Sequence, residues 1–231
     1  AKCGAMVKKT FTAIILARGG CKGVKNKNMV KIKKKPLIFW TIKACLNSKK
    51  IQSVWVSSDN NRILNYSKKC GANIIRRPKK YSRDASSSES AWLHAAKFLD
   101  SENFIYSEIV GLQPTSPLRN KNDIDNACQF YIKNKFDSLF TALKISDHFI
   151  WKKKGRKFLA NYNFKKRPRR QIIDDKFLEN GSFYIFNKKK FLKFKNRLFG
   201  KIGVYLMSKM NSFQIDDYED IQLINKLVGA K

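Results

Sequence analysis

Short apolar runs rich in β-branched residues alternate along the chain with longer segments of helical periodicity. That order predicts a parallel sheet with crossover helices. The first run, Phe11–Leu16, is apolar almost throughout and predicts a buried strand, followed by a glycine- and lysine-rich loop to Asn28. Pro36 opens a predicted helix, PLIFWTIKACLNS, with Leu37, Trp40, Thr41 and Ala44 on one face. SVWVSSD at 53–59 predicts a second strand, and the helix after it ends at Gly71. NIIRR at 73–77 predicts a third strand that Pro78 stops. Residues 86–99 predict a helix entered through serines, with Ser86 and Glu89 at capping-box spacing. EIVGLQ at 108–113 predicts a central strand, and a helix near 123–133 and a strand at 137–143 continue the alternation.

Between 145 and 180 no period holds and basic and aromatic residues crowd together, so an excursion from the sheet is expected, either a small β subdomain or a dimerisation arm. Strands at 182–186 and 203–207 then flank a short helix, KKKFLKF, and IDDYEDIQLINKLV closes as a helix entered through acidic residues. The expected fold class is α/β, a Rossmann-like, mostly parallel sheet flanked by helices. One domain is expected over 7–231, with the excursion at about 145–180. Residues 1–6 (AKCGAM) are expected to be an appended remnant and are set aside.

Composition narrows this picture more than it extends it. A length of 231 residues suits one sizeable α/β domain, and a hydrophobic fraction of 43% is enough for a packed core. No apolar run approaches the ~18 residues of a membrane-spanning helix. The apolar start runs directly into Arg18 and two glycines, so no signal peptide is expected. The net charge of +32 suggests nucleic acid at first sight, because dense lysine neutralises phosphates. The lysines are nevertheless spread over the chain, as at 31–35, 152–154 and 188–190, which reads as compositional drift rather than a binding face. Such a surface still attracts small anions. Cys3, Cys21, Cys45, Cys70 and Cys128 show no metal-ligand spacing and are expected to be free thiols of a cytoplasmic protein. With only His94 and His148, neither a zinc centre nor a Ser-His-Asp triad is expected.

In an open parallel sheet, ligands bind beyond the carboxyl ends of the strands, and three such loops carry chemistry. The first, Ala17–Asn28, offers Gly19, Gly20 and Gly23 for backbone curled around an anion, with Arg18, Lys22 and Lys27 as charges. It is neither a Walker A loop nor a dinucleotide fingerprint. The second, LQPTSPLR at 112–119, is stiffened by two prolines and presents Gln113, Thr115 and Ser116 as a polar ledge suited to a base or sugar; the alternative is a proline-stiffened turn with Arg119 solvated. The third is the acidic cluster at 212–220, where Asp216 and Asp217 are candidates for Mg²⁺. Helix capping competes for Asp217, and Asp59 at the end of the second strand either reaches the crevice or caps a helix.

Together these segments resemble the acylneuraminate cytidylyltransferase family, over nearly the whole chain. Its opening motif A-R-x-x-S-K-G-x-x-x-K-N is met by Ala17, Arg18, Lys22, Gly23, Lys27 and Asn28. V-S-[ST]-D is met at 56–59, and Arg77-Pro78 is followed by Asp84, Ser87, Ser88 and Ser90. Q-P-T-S-P-L-R stands intact at 113–119, and N-G-x-x-Y is met by Asn180, Gly181 and Tyr184. Two positions depart: Cys21 replaces the loop serine, and Gln214 replaces the first aspartate of the I-D-I-D metal motif, leaving Asp216. Relatives that activate the eight-carbon sugar Kdo carry a different first loop, which places this chain on the nine-carbon side.

The resemblance implies the nucleotide-diphospho-sugar transferase fold and a Mg²⁺-dependent transfer of CMP from CTP to an acidic nine-carbon sugar, releasing pyrophosphate. It implies Arg18, Lys22 and the glycine N–H groups on the CTP phosphates and Lys27 on the triphosphate or departing pyrophosphate. Asn28, Arg77, Ser88 and the ledge of Gln113, Pro114, Thr115 and Ser116 would hold cytosine and ribose, with Asp216 and Asp217 on the metal. Arg170 and Gln171 match an R-Q pair expected at the sugar carboxylate, with Lys152, Phe177 and Gln113 as further sugar contacts. A homodimer built through the excursion is also implied. The alternatives are another acidic or amino sugar, such as legionaminic or pseudaminic acid, and a basic nucleic-acid-binding protein on an inactive scaffold, which the intact phosphate and base loops disfavour.

Overall fold

The computed structural model describes residues 9–20, 23–145, 149–169 and 176–228. Its strands are β1 (Phe11–Leu16), β2 (Lys31–Ile32), β3 (Lys35–Pro36), β4 (Ile51–Ser58), β5 (Asn73–Arg76), β6 (Glu108–Leu112), β7 (Ser138–Ile145), β8 (Trp151–Lys154), β9 (Lys157–Ala160), β10 (Lys176–Asn187) and β11 (Ile202–Leu206). Its helices are α1 (Leu37–Leu46), α2 (Asn61–Lys69), α3 (Ser88–Ser101), α4 (Asp123–Lys133), α5 (Lys188–Phe194) and α6 (Tyr218–Leu227). A seven-stranded sheet runs in the order β11-β7-β10-β6-β1-β4-β5. Only β10 is antiparallel to its neighbours, β6 and β7. The α/β, mostly parallel expectation therefore holds. The excursion contains the separate hairpin β8–β9, whose strands are solvent-exposed along nearly their whole length.

The uninterrupted apolar run of β1 reflects burial on both faces, as expected of a central parallel strand. Phe11, Ala13 and Ile15 face Ile38 and Ile42 of α1 and Ala127 and Tyr131 of α4. Ile14 and Leu16 face Trp92, Ala95 and Leu99 of α3 and Phe191 of α5. The buried face of α1 is Leu37, Ile38, Thr41, Ile42 and Cys45, rotated from the predicted one, because this helix is apolar nearly all round. A smaller cluster of Ile32, Leu37, Leu118, Ile215 and Ile224 ties α6 and the β2–β3 hairpin to the sheet's carboxyl end.

Trp92 fits only because β6 has glycine beneath it. Its indole N–H donates to the Ile14 carbonyl at 3.2 Å, and a Cβ at Gly111 would stand 2.7 Å from the indole. Gly111→Ala should therefore cost about 1–3 kcal/mol by overpacking, measured by urea denaturation. A loss under about 0.5 kcal/mol would show that α3 shifts freely.

Candidate active site

The carboxyl ends of β1, β5 and β6 open on one recess of about 420 Å³. It gathers Arg18, Gly23, Lys27 and Asn28 from the first loop, Arg77 from the end of β5, Ser88 from α3, and Gln113, Pro114 and Thr115 from the ledge. Asp216 joins them from the segment before α6. Residues separated by up to nearly two hundred positions thus meet where the parallel-sheet rule places a ligand.

Each cation has a defined hold. Arg18 Nη1 donates to Asp84 Oδ1 at 2.8 Å, an ion pair that is partly exposed on both sides. Lys27 Nζ donates to the Ile215 carbonyl at 2.8 Å and to Asp216 Oδ1 at 3.2 Å. Asn28 is buried and donates its amide to the Arg18 carbonyl at 2.9 Å, closing the first loop on itself. Arg77 is 4% exposed and donates from Nε to Ser82 Oγ at 2.9 Å. Burial pulls its guanidinium pKa down, Asp59 opposes that and Arg18 adds to it. A buried guanidinium with a single neutral side-chain acceptor among the described residues is poised for an anionic or strongly polar ligand.

The ledge is rigid for a reason its own sequence hides. Arg119, which a simple proline-stiffened turn would leave in solvent, lies buried beneath it and donates to Ser182 Oγ at 2.8 Å, Thr41 Oγ1 at 2.9 Å, the Gln113 carbonyl at 2.9 Å and the Ser182 carbonyl at 2.7 Å. Burial lowers its pKa to about 10, so it stays charged at neutral pH. Above it, Gln113 Nε2 donates to Ser88 Oγ at 3.2 Å, and the Thr115 carbonyl accepts from Ile215 N at 2.9 Å. The Gln113–Thr115 ledge, α3 and the Asp216 segment are therefore one connected frame.

Several predicted residues take other positions. Ala17 is buried in the sheet, its N–H on the Ser57 carbonyl at 3.1 Å. The Gly19 N–H donates to Asp59 Oδ1 at 2.9 Å, and Gly20 is exposed outside the recess. Gly23 is needed for close approach, since a Cβ there would lie 2.6 Å from the Asp216 carbonyl oxygen. Ser116 is fully buried away from the recess and its hydroxyl has no partner among the described residues, so it is not placed to touch a ligand. Lys152 stands exposed on β8 and Phe177 exposed at the start of β10, neither lining the recess. Lys22, Arg170 and Gln171 lie outside the described residues.

The loop after β5 supplies what the sequence reading did not assign. Tyr81, Ser82, Arg83, Asp84 and Ser86 form one wall of the recess. The parallel-sheet rule alone was signal enough, since Arg77-Pro78 marks another strand's carboxyl end.

Asp217 caps α6: its carboxylate accepts from Asp220 N at 2.9 Å, and Asp220 reciprocates in a capping box. Asp217→Ala should therefore cost about 1 kcal/mol of stability with no change in metal dependence. A raised Mg²⁺ requirement without a stability loss would contradict the capping role. Asp216 and Asp84 are the carboxylates that line the recess, and the Asp216 side chain is 74% exposed. Among the described residues no group of three His, Cys, Asp or Glu side chains forms a cage. Exposed carboxylates at the edge of such a recess fit Mg²⁺ held jointly with substrate phosphates, not a resident all-protein site.

A family model described as cytidylyltransferase matches residues 12–230. The chain is 37% identical over 186 residues to N-acylneuraminate cytidylyltransferase of Oncorhynchus mykiss, covering 78% of this chain and 42% of that protein. It is 30% identical over 214 residues to pseudaminic acid cytidylyltransferase of Campylobacter jejuni strain 81-176, covering 90% of this chain and 92% of that one. It thus spans less than half the fish relative and nearly all of the bacterial one. The solved structure of CMP:2-keto-3-deoxy-manno-octonic acid synthetase complexed with CTP superposes with a TM-score of 0.74 at 14% identity, over 96% of this chain and 99% of that chain.

Proposed function

The chain belongs to the cytidylyltransferase family, and we propose that it transfers CMP from CTP to the anomeric hydroxyl of an acidic nine-carbon sugar of the sialic acid type, releasing pyrophosphate. The observation that carries this reading is the single recess in which Arg18, Lys27 and Arg77 face the Gln113–Thr115 ledge, with Asp216 at its edge. Nucleotidyl transfer asks of a protein mainly that it position the reactants and neutralise phosphate charge. Arg18 and Lys27 would exchange their carboxylate partners for the triphosphate. Arg77, Asn28, Ser88 and Gln113 would hold ribose and cytosine. The sugar hydroxyl oxygen bonds to the α-phosphorus as the bond from that phosphorus to the α,β-bridging oxygen breaks; pyrophosphate leaves and the hydroxyl proton passes to solvent. Asp216 would hold Mg²⁺ together with phosphate oxygens, and the ion when bound supplies charge neutralisation and lowers the pKa of the attacking hydroxyl.

Two further parts of the reading concern the acceptor side. Arg170 and Gln171, with Lys152 and Phe177, would receive the sugar carboxylate, since a planar guanidinium matches it in two-point geometry. Trp151, Phe158, Phe164 and Phe177 are large apolar side chains left exposed on and beside the β8–β9 hairpin, and a second copy of the chain would cover them in a homodimer. Pseudaminic acid is the favoured alternative acceptor, because the named bacterial relative matches along nearly its whole length. No helix among the described residues is long and apolar enough to cross a membrane.

Calorimetric titration with CTP, UTP and ATP tests the nucleotide assignment. CTP should bind at least about tenfold more tightly than the other two, a difference of ~1.4 kcal/mol. Equal binding of all three would leave an anion site without base selection and remove the case for a cytidylyltransferase.

A further inference from the structure

A second recess, about 740 Å³, opens between the β2–β3 hairpin and α2. Lys31, Lys34 and Lys35 line it from the hairpin; Arg62 and Lys69 face them from the helix, with Tyr66 between. Arg62, Tyr66 and Lys69 share one helix face by their spacing, opposite the buried Ile63, Leu64 and Ser67. No acidic residue lines the recess, and none of its five cations is ion-paired among the described residues.

Composition alone supplies lysines but does not hold them facing one another, and here the hairpin is fixed. Ile32 is fully buried in the cluster with Leu118, Ile215 and Ile224, and Lys33 N donates to Asn225 Oδ1 of α6 at 2.8 Å. The turn itself places Lys33 at φ 45° and Lys34 at φ 68°, a left-handed pair that hairpins ordinarily fill with Asn-Gly. Lysine is disfavoured there, so the chain holds cations at this tip against both backbone preference and mutual repulsion. Like charges gathered around a concavity whose backbone walls are held in place form an anion site.

We propose that this recess binds a linear oligophosphate, separately from the nucleotide recess. Charges on both walls suit several linked phosphates better than one, and the hairpin tip and the face of α2 lie on either side of such a chain.

The test is a calorimetric titration of the full chain with inorganic tripolyphosphate in an Arg18→Ala background, which weakens the nucleotide recess. One binding event should remain. Adding Arg62→Glu with Lys69→Glu should weaken it at least about tenfold, while Lys189→Glu with Lys193→Glu on α5 should leave it unchanged. In the otherwise native chain the Arg62/Lys69 pair should leave CTP binding intact; should that pair misfold, Arg62→Gln with Lys69→Gln replaces it. Equal weakening by the α5 pair would overturn the site and assign anion binding to diffuse surface charge; no event in the Arg18→Ala background would overturn it outright. Tighter binding of a short single-stranded oligonucleotide than of tripolyphosphate would overturn the oligophosphate assignment in favour of nucleic acid.

Discussion

Arg18→Ala is expected to lower kcat/KM for CTP by about 10²–10³-fold while leaving the fold nearly as stable as before. The two halves of that expectation come from one contact. Arg18 meets Asp84 in an ion pair open to water, and such pairs contribute about 0–1 kcal/mol to folding. Facing a triphosphate inside the recess, the same guanidinium would make charge-assisted, two-point hydrogen bonds that strengthen as charge moves onto the leaving group. Steady-state kinetics with CTP and thermal melting of the same variant separate the two effects. A rate within threefold of the parent would remove Arg18 from the phosphate site. Asp84→Asn is the companion measurement: it frees Arg18 and should tighten CTP binding in the absence of metal.

Arg119→Ala should act through the fold instead, costing about 3–5 kcal/mol. The substitution leaves a buried carbonyl of Ser182, a partly buried one of Gln113 and two hydroxyls, of Thr41 and Ser182, without this donor. It also opens a void between α1, β10 and the ledge. Arg119→Lys should recover only part of the loss, because an ammonium cannot reach acceptors spread around a planar fork. Urea denaturation of the three proteins measures this directly. A loss below about 1 kcal/mol for alanine would mean that the ledge supports itself through its prolines.

Arg119 also marks the boundary of what the sequence could disclose. Its acceptors lie at Thr41 and Ser182, far along the chain, so a loop read locally places it in solvent. By contrast, β1 was legible to the residue, because a strand buried on both faces leaves an uninterrupted apolar run. The cap of α3 was legible only to within one position. Three serines in a row offer neighbouring registers; Ser87 takes the cap while the Ser86 hydroxyl is drawn to the Lys80 carbonyl. The stretch from 145 to 180 gave no period because β8 and β9 are exposed almost throughout, so burial imposes no alternation there. In the recess, motif spacing named Arg18, Lys27, Asn28, Arg77, Ser88, Gln113 and Asp216, and the fold brings these together. Spacing could not separate Asp216 from Asp217, since adjacent acids before a helix serve capping and metal binding equally well; the fold gives Asp217 the capping hydrogen bond and puts Asp216 at the recess.

The most direct measurement of the central claim is pyrophosphate release from CTP with Mg²⁺ across N-acetylneuraminic, legionaminic and pseudaminic acids and Kdo. The account predicts turnover with a nine-carbon acid and none with Kdo. No pyrophosphate with any acceptor, together with no binding of CTP, would contradict it.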